Sequence, residues 1–434
     1  MIVSVQKSVL AGEVNAPASK SYTHRAVFVS ALGTRKTHLY NCLISDDTRS
    51  TMNACRLFGA RFEETPEMIS VTGFGKSPAA PNETVDIGNS GTTLRFMTAL
   101  SALCDKEIIL TGDESIQKRP NVPLLSTLQQ MGATAYSKNN NGCAPLIVSG
   151  KMKPGKYSID GGVSSQFISA LLLTCPLLDG STELWIDGEL KSKPYVDITL
   201  DVAEKAGVKI IEQNRSSGNG ISYKIEGSQI YNLGDYTVPG DFSSVSYVLA
   251  AAALIPKSRV HVKNIFPSAQ GDSAIIEILK EMGADISWDK KTGVVCVSNS
   301  GKKLKGICVD AGKTPDLVPT LAVLGAFSEG TMTIQNAEHV RFKETDRLKA
   351  MATELSKMGA DIVETKDGLI ISGKSSSLKG ANLCGWDDHR IVMALFVAGL
   401  AVGNTTIDTA ESVRISYPSF FEDMEKIGAY VEKQ

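Results

Sequence analysis

The sequence carries no excess of charge, no paired cysteines and few histidines. Lys and Arg total 45 against 47 for Asp and Glu, a net charge of −2 over 434 residues. This balance argues against a general polyanion binder, while leaving room for local patches. The eight cysteines, at 42, 55, 104, 143, 175, 296, 308 and 384, form no CxxC pair, which removes a zinc knuckle and a redox dithiol. In a chain this long they are expected to be reduced, buried thiols of a cytoplasmic protein. The five histidines show no metal-ligand spacing, so no metal is expected. No apolar run reaches 18 residues, so no membrane span is expected. The opening segment has Lys7 inside its apolar stretch and shows no signal-peptide pattern. What remains is an ordinary globular composition, 42% apolar and 21% charged, long enough for two or three domains.

What the chain does have is repetition. The phrase "helix end, Gly, small residue, strand" recurs at Gly59, Gly132, Gly207, Gly283, Gly359 and Gly428, with gaps of 73, 75, 76, 76 and 69 residues. Each Gly stands just past an amphipathic helix, where a left-handed cap is cheapest without a Cβ. Before Gly359, Leu348, Met351, Leu355 and Met358 form one apolar stripe, as a helical period requires. A second phrase interleaves with the first: a polar cluster opens a long apolar helix. Its copies are SKSYTHRAVFVSAL, GNSGTTLRFMTALSAL, VSSQFISALLLTCPLL, PGDFSSVSYVLAAAAL, TPDLVPTLAVLGAF and WDDHRIVMALFVAGL. Helices apolar almost all round are buried inside a layer, and the Ser, Thr, Asp and Asn at their starts are N-cap chemistry. The chain thus reads as six units of about 75 residues, each with two helices and three or four strands. Three plus three is the expected grouping, with a boundary near Val238-Pro239-Gly240-Asp241. The strand before Pro17 lies outside the first unit and could pair with either half.

The polar clusters also carry cations: Lys20 and Arg25, Arg95, and Arg390. A helix start already bears partial positive charge and free N–H groups, so a cation there is a poor choice for stability. Six helix starts, several with added Lys or Arg, describe a site for small anions. The segment Arg341-Phe342-Lys343-Glu344-Thr345-Asp346-Arg347 strengthens it. At helical spacing Lys343 and Arg347 share a face and Glu344 reaches Arg347. Asp316, opening an apolar helix, reads either as an N-cap or as a carboxylate placed to take a hydroxyl proton. His389, between Asp388 and Arg390, reads as a base or as an orienting group; His24 reads as a partly buried cap partner. Gly368 to Ser375 matches GxxxxGK[ST]. The apolar run Leu369-Ile370-Ile371 lies inside that pattern, so a strand and loop are expected there, not a phosphate loop.

These residues resemble the enolpyruvyl transferases. The matching stretches are Ala18-Ser19-Lys20-Ser21 with Arg25, Gly88-Asn89-Ser90-Gly91-Thr92-Thr93-Leu94-Arg95, Lys118-Arg119-Pro120 and Ser164-Ser165-Gln166. Ser192-Lys193-Pro194-Tyr195, Lys343-Glu344-Thr345-Asp346-Arg347 and Asp387-Asp388-His389-Arg390 complete a series running in family order along nearly the whole chain. The resemblance implies an α/β fold of two similar domains. Each has three βαβαββ repeats with buried parallel helices, and a cleft lies between the domains. One domain would span 19–238 and the other 1–18 with 239–434, with hinges near 16–19 and 237–241 and closure on substrate binding.

The resemblance also implies a reaction: phosphoenolpyruvate gives its enolpyruvyl group to the 5-hydroxyl of shikimate 3-phosphate, and phosphate leaves after a tetrahedral intermediate. Ser164, Ser165, Gln166 and Ser192 would hold the phosphate of shikimate 3-phosphate. Arg25, sharing a helix face with Ser21, would clamp its carboxylate, and Asp316 and Lys343 would bind its hydroxyls. Lys20, Gly91, Arg119, Gln166, Arg347 and Arg390 would surround phosphoenolpyruvate, where glyphosate would compete. Asn89, Thr92, Arg95, Tyr195, His339 and His389 complete the expected substrate-binding set. Asp316 is the expected base, and Glu344 and Lys20 are the candidate donors to the methylene. No cofactor, metal, nucleic acid or membrane is implied, and a cytoplasmic monomer is expected.

Two positions depart from the family pattern. Ile415 stands where many members carry Lys, with Arg414 as the possible substitute. His339 stands where many carry Asn. Two rivals differ in kind. The sister transferase acting on a uridine-diphosphate amino sugar typically has Lys-Asn near the N-terminus and a Cys in the loop before the arginine. Here those places hold Lys20-Ser21 and the Cys-free loop Gly112–Arg119. A non-catalytic anion- or RNA-end-binding protein would need neither Asp316 nor Glu344.

Overall fold

The computed structural model describes residues 1–214, 220–374 and 377–434. Its helices are α1 (Lys20–Ala31), α2 (Asp46–Leu57), α3 (Gly91–Ser101), α4 (Val122–Gln130), α5 (Ser165–Thr174), α6 (Lys193–Lys205), α7 (Phe242–Leu254), α8 (Ala274–Glu281), α9 (Val318–Phe327), α10 (Arg347–Lys357), α11 (His389–Val402) and α12 (Phe420–Lys426). The chain divides into two compact units, Ala18–Val238 and Met1–Pro17 with Pro239–Gln434. Ala18 falls with the middle segment, one residue earlier than the sequence boundary.

Each four-stranded sheet repeats one pattern, seen plainly around α5 and α6. Lys156–Asp160 runs parallel to Thr182–Asp187, which pairs antiparallel with Ile221–Ile225, which in turn pairs antiparallel with Ile210–Asn214. In chain order this is βαβαββ, and six such sheets occur among the described residues. A parallel pair needs a crossover, supplied here by a buried helix, whereas the last two strands close by a hairpin.

Both units are completed by strands from elsewhere in the chain. The sheet of α1 and α2 takes its parallel edge from Asp235–Thr237, paired with Lys36–Tyr40. The single strand expected before Pro17 is in fact two. Ala11–Asn15 opens the sheet of α7 and α8 beside Arg259–Lys263. Val3–Gln6 sits between Thr405–Ile407 and Tyr430–Lys433, in the sheet of α11 and α12.

Helices α1, α3 and α5 fill one core, and α7, α9 and α11 the other. Every residue of α7 from Phe242 to Ala253 is buried, as its all-round apolar sequence requires. The remaining helices are amphipathic; on α10 the stripe Leu348, Met351, Leu355 faces inward, followed by buried Met358. All six repeat glycines have positive φ, from 81° at Gly207 to 108° at Gly59. That is the left-handed backbone their position past a helix demands.

Gly373 and Lys374, where the pattern needs a loop, lie in the strand Leu369–Lys374; Ser375 lies outside the described residues. The cysteines are free but not all buried, since Cys308 is exposed and Cys42, Cys296 and Cys384 are half-buried. Among the described residues no helix is long and apolar enough to cross a membrane. No group of three or more His, Cys, Asp or Glu among them could hold a metal ion.

Candidate functional site

The polar helix starts collect chemistry in each unit separately. In the Ala18–Val238 unit, Ser19 caps α1 by accepting from the Tyr22 N–H. This leaves Lys20 as the first helical residue. Its ammonium lies 2.8 Å from Asp47 Oδ2, in the first turn of α2. His24, buried one turn further along α1, places Nε2 3.3 Å from Asp47 Oδ1. Its Nδ1 is hydrogen-bonded to Thr51 Oγ1 at 2.6 Å, and Thr51 bonds Thr93 of α3 at 2.6 Å. Burial alone would raise the Asp47 carboxyl, but Lys20 and His24 outweigh it and hold it well below the usual carboxylate range. His24 is therefore a fully buried partner of a carboxylate, not a cap.

Around α3 the backbone of Gly91 is ringed by polar groups. A Cβ on Gly91 would stand 2.7 Å from Arg95 Nη1, 3.0 Å from Arg119 Nη1 and 3.7 Å from Gln166 Oε1. Arg95 Nη1 donates back to the Gly91 carbonyl at 3.0 Å. Arg119 Nη2 donates to Asn89 Oδ1 and Ser115 Oγ at 3.0 and 2.9 Å. Gln166, at the start of α5, donates to Thr92 Oγ1 at 3.0 Å. Ser164 caps α5, and Ser165 is buried behind it. Ser192 is the N-cap residue of α6 with φ 55°, a left-handed conformation that costs a Ser ~1–3 kcal/mol.

Arg25 is held differently. Nε donates to Thr199 Oγ1 at 2.7 Å, Nη1 to the Ser21 carbonyl at 2.9 Å, and Nη2 to Ser169 Oγ at 3.3 Å and the Tyr195 carbonyl at 2.8 Å. Burial lowers its guanidinium to about 10.

In the other unit the starts of α7, α9, α10 and α11 meet in one ion network. Asp316 lies in a short 3-10 turn, Pro315–Leu317, and makes no capping bond to α9. Its carboxylate instead accepts from Arg347 Nη1 at 2.9 Å and Arg390 Nη2 at 2.7 Å, with Lys343 Nζ at 4.0 Å. Arg347 also donates to Asp388 Oδ2 at 2.8 Å and Glu344 Oε2 at 2.6 Å. Arg390 reaches Ser243 Oγ at 3.1 Å. Burial disfavours the Arg347 charge, but Asp388, Glu344 and Asp316 raise its pKa regardless. For Lys343, burial dominates; Asp316 opposes it, Arg347 adds to it, and the ammonium is left below its ordinary pKa.

Two expectations change. Lys343 and Arg347 do not share a helical face, because Asp346 caps α10 by accepting from Lys349 N–H and the helix begins only at Arg347. Lys343 and Glu344 reach the network from the preceding loop, where Lys343 is extended. Arg414 is exposed, in the 3-10 segment Ala410–Ile415, so its placement does not follow an extended strand. His389 opens α11 fully buried, its Nδ1 3.7 Å from Asp388 Oδ1, and His339 is buried in the turn Glu338–Phe342.

Two residues outside the expected set hold the others in place. Asp47 pairs with Lys20; its only sequence signal, a carboxylate in a first helical turn, reads as a dipole complement. Asp388 caps α11 through Oδ1 while Oδ2 takes Arg347. The Asp47 pairing has a measurable consequence. A carboxyl lowered by folding adds stability above its unfolded pKa, near ~4, and loses it as pH falls further. Urea unfolding of wild type and Asp47→Asn should therefore differ most near pH 7 and converge toward pH 3. A difference constant across that range would contradict the pairing.

The chain is 54% identical over 433 residues to the 3-phosphoshikimate 1-carboxyvinyltransferase of Methanosarcina acetivorans, covering 100% of this chain and 99% of the relative. It is 55% identical over 432 residues to the protein of the same name from Methanococcoides burtonii, covering 99% of each. A solved EPSP synthase from Acinetobacter baumannii superposes with a TM-score of 0.82 at 28% identity, covering 100% of both chains. A family model of EPSP synthase matches residues 5–424. The chain belongs to the EPSP synthase (3-phosphoshikimate 1-carboxyvinyltransferase) family.

Proposed function

We propose that this chain transfers the enolpyruvyl group of phosphoenolpyruvate to the 5-hydroxyl of shikimate 3-phosphate and releases phosphate, as a cytoplasmic monomer. The observation that carries the reading is the set of cations at or near buried helix starts: Lys20, Arg25 and Arg119 in one unit, Arg347 and Arg390 in the other. Both substrates bear a phosphate and a carboxylate, which such groups bind. Arg25 takes the shikimate carboxylate, and Ser164, Ser165 and Ser192 take its phosphate. Lys20, Arg119 and Gln166 hold phosphoenolpyruvate beside Gly91.

In the addition step the 5-hydroxyl oxygen bonds to the enol carbon, Asp316 takes the hydroxyl proton, and the methylene carbon gains a proton from Lys20 or Glu344. In the elimination step a methyl proton returns to the group that supplied it, the C=C bond re-forms, and the C–O bond breaks with its electron pair leaving on phosphate. Asp316 is held between two guanidiniums. As it takes a proton, its hold on Arg347 and Arg390 weakens, which frees their charge for the departing phosphate. Stabilising charge where it develops is usually the largest catalytic contribution.

The uridine-diphosphate-sugar reading is disfavoured by Ser21 beside Lys20 and by the Cys-free loop before Arg119. The test is phosphate release from the two substrates without added metal, in wild type and Gly91→Ala. Wild type should release phosphate. The variant should do so with a raised KM for phosphoenolpyruvate, because the new methyl displaces the Arg95 and Arg119 guanidiniums. Tight binding without release would favour a non-catalytic binder, and an unchanged KM would remove Gly91 from the phosphoenolpyruvate site.

A further inference from the structure

Arg25 differs from Arg347 and Lys20 in what surrounds it. Arg347 faces three carboxylates and Lys20 faces one. Every hydrogen-bond acceptor of Arg25 is neutral: two backbone carbonyls, from Ser21 and Tyr195, and two hydroxyls, from Ser169 and Thr199. Among the described residues no carboxylate lies within ion-pair distance of it. Ser169 and Thr199 are themselves 0% exposed, and Arg25 is 2% exposed. They touch each other at 2.8 Å, and the Thr199 hydroxyl also lies 3.0 Å from the Tyr195 carbonyl. The Thr199 hydroxyl has one proton to give, to Ser169 or to Tyr195, and a lone pair that accepts from Arg25 Nε. A buried charge with no counter-ion is expensive; fixing it with uncharged acceptors keeps its full attraction for an incoming anion.

We propose that Thr199 and Ser169 are positioning residues for substrate: a hydroxyl cradle that aims the Arg25 guanidinium while leaving its charge unspent for the carboxylate of shikimate 3-phosphate. This rests on the reading of Arg25 given above. Without the Thr199 hydroxyl, Arg25 Nε–H is left buried and unsatisfied, and the guanidinium loses one of the bonds that fix its plane. A carboxylate in the same place satisfies the guanidinium better but cancels the charge that binds.

The experiment is steady-state phosphate release by the full chain, varying each substrate in turn, for Thr199→Val, Thr199→Ser, Thr199→Asp and Arg25→Ala, with a thermal melt of each. Thr199→Val should raise the KM for shikimate 3-phosphate about tenfold, with kcat and the KM for phosphoenolpyruvate within about threefold, because one charge-assisted bond is lost on one substrate only. Thr199→Ser should restore the wild-type value. Thr199→Asp should raise that KM further even where its melt equals wild type. Should Thr199→Asp fail to fold, the Val and Ser pair decides alone. A KM for shikimate 3-phosphate unmoved by Thr199→Val, or rescued by Thr199→Asp, overturns the cradle. A KM unmoved by Arg25→Ala overturns instead the carboxylate reading beneath it.

Discussion

Asp316→Asn should lower kcat by about 10²–10⁴-fold, the range by which a positioned base accelerates proton transfer. Asn has nearly the size of Asp but does not accept the hydroxyl proton. It also offers an acceptor to only one of the two arginines that Asp316 now holds at 2.9 and 2.7 Å. The released guanidinium is available to phosphoenolpyruvate, so the KM for that substrate should not rise. A large fall in kcat at unchanged or lower KM is the signature of a group acting in the transition state. If kcat stays within tenfold of wild type, Asp316 is a tether for arginines and the base lies elsewhere.

Arg347→Met should be the most destabilising single change in the Pro239–Gln434 unit. The guanidinium is 1% exposed and is the common partner of Asp388, Glu344 and Asp316. Its removal leaves three carboxylates close together with their main counter-charge gone. Breaking a buried pair this way costs ~3–5 kcal/mol. The sign of the pH dependence follows. Carboxylates crowded without a cation have folded pKa values above their unfolded ones. They therefore favour folding at low pH and penalise it as pH rises through those values. Urea unfolding should show the loss near pH 7 and a smaller loss near pH 5. Equal midpoints for variant and wild type at pH 7 would mean that the network contributes nothing net.

The parts of this molecule that were legible in its sequence are those set by local rules. A helix followed by a left-handed residue needs Gly, so Gly59 through Gly428 marked the six repeats. A helix buried on all sides must be apolar on all sides, so α7 and α11 announced their place. Cations at helix starts, which stability alone disfavours, pointed to Lys20, Arg390 and the Lys343–Arg347 segment. Partnerships between distant residues left no such mark. Asp47 meets Lys20 only because α2 packs on α1, and Asp388 looks like a cap until its second oxygen is seen on Arg347. The helical spacing read for Lys343 and Arg347 failed because Asp346 competes for the helix start, a choice between caps one turn apart. Val3–Gln6 carried the pattern of a strand but nothing that named its neighbours.

Those neighbours fix an order of assembly. Val3–Gln6 is made long before Tyr430–Lys433, with which it pairs. The Ala18–Val238 unit is contiguous, and its last borrowed edge, Asp235–Thr237, arrives with its own final residues. The contiguous Ala18–Val238 unit can therefore complete its sheets while Met1–Pro17 still waits for Pro239–Gln434. Truncation before residue 430 would strand one edge of Val3–Gln6 in a chain whose middle is already complete.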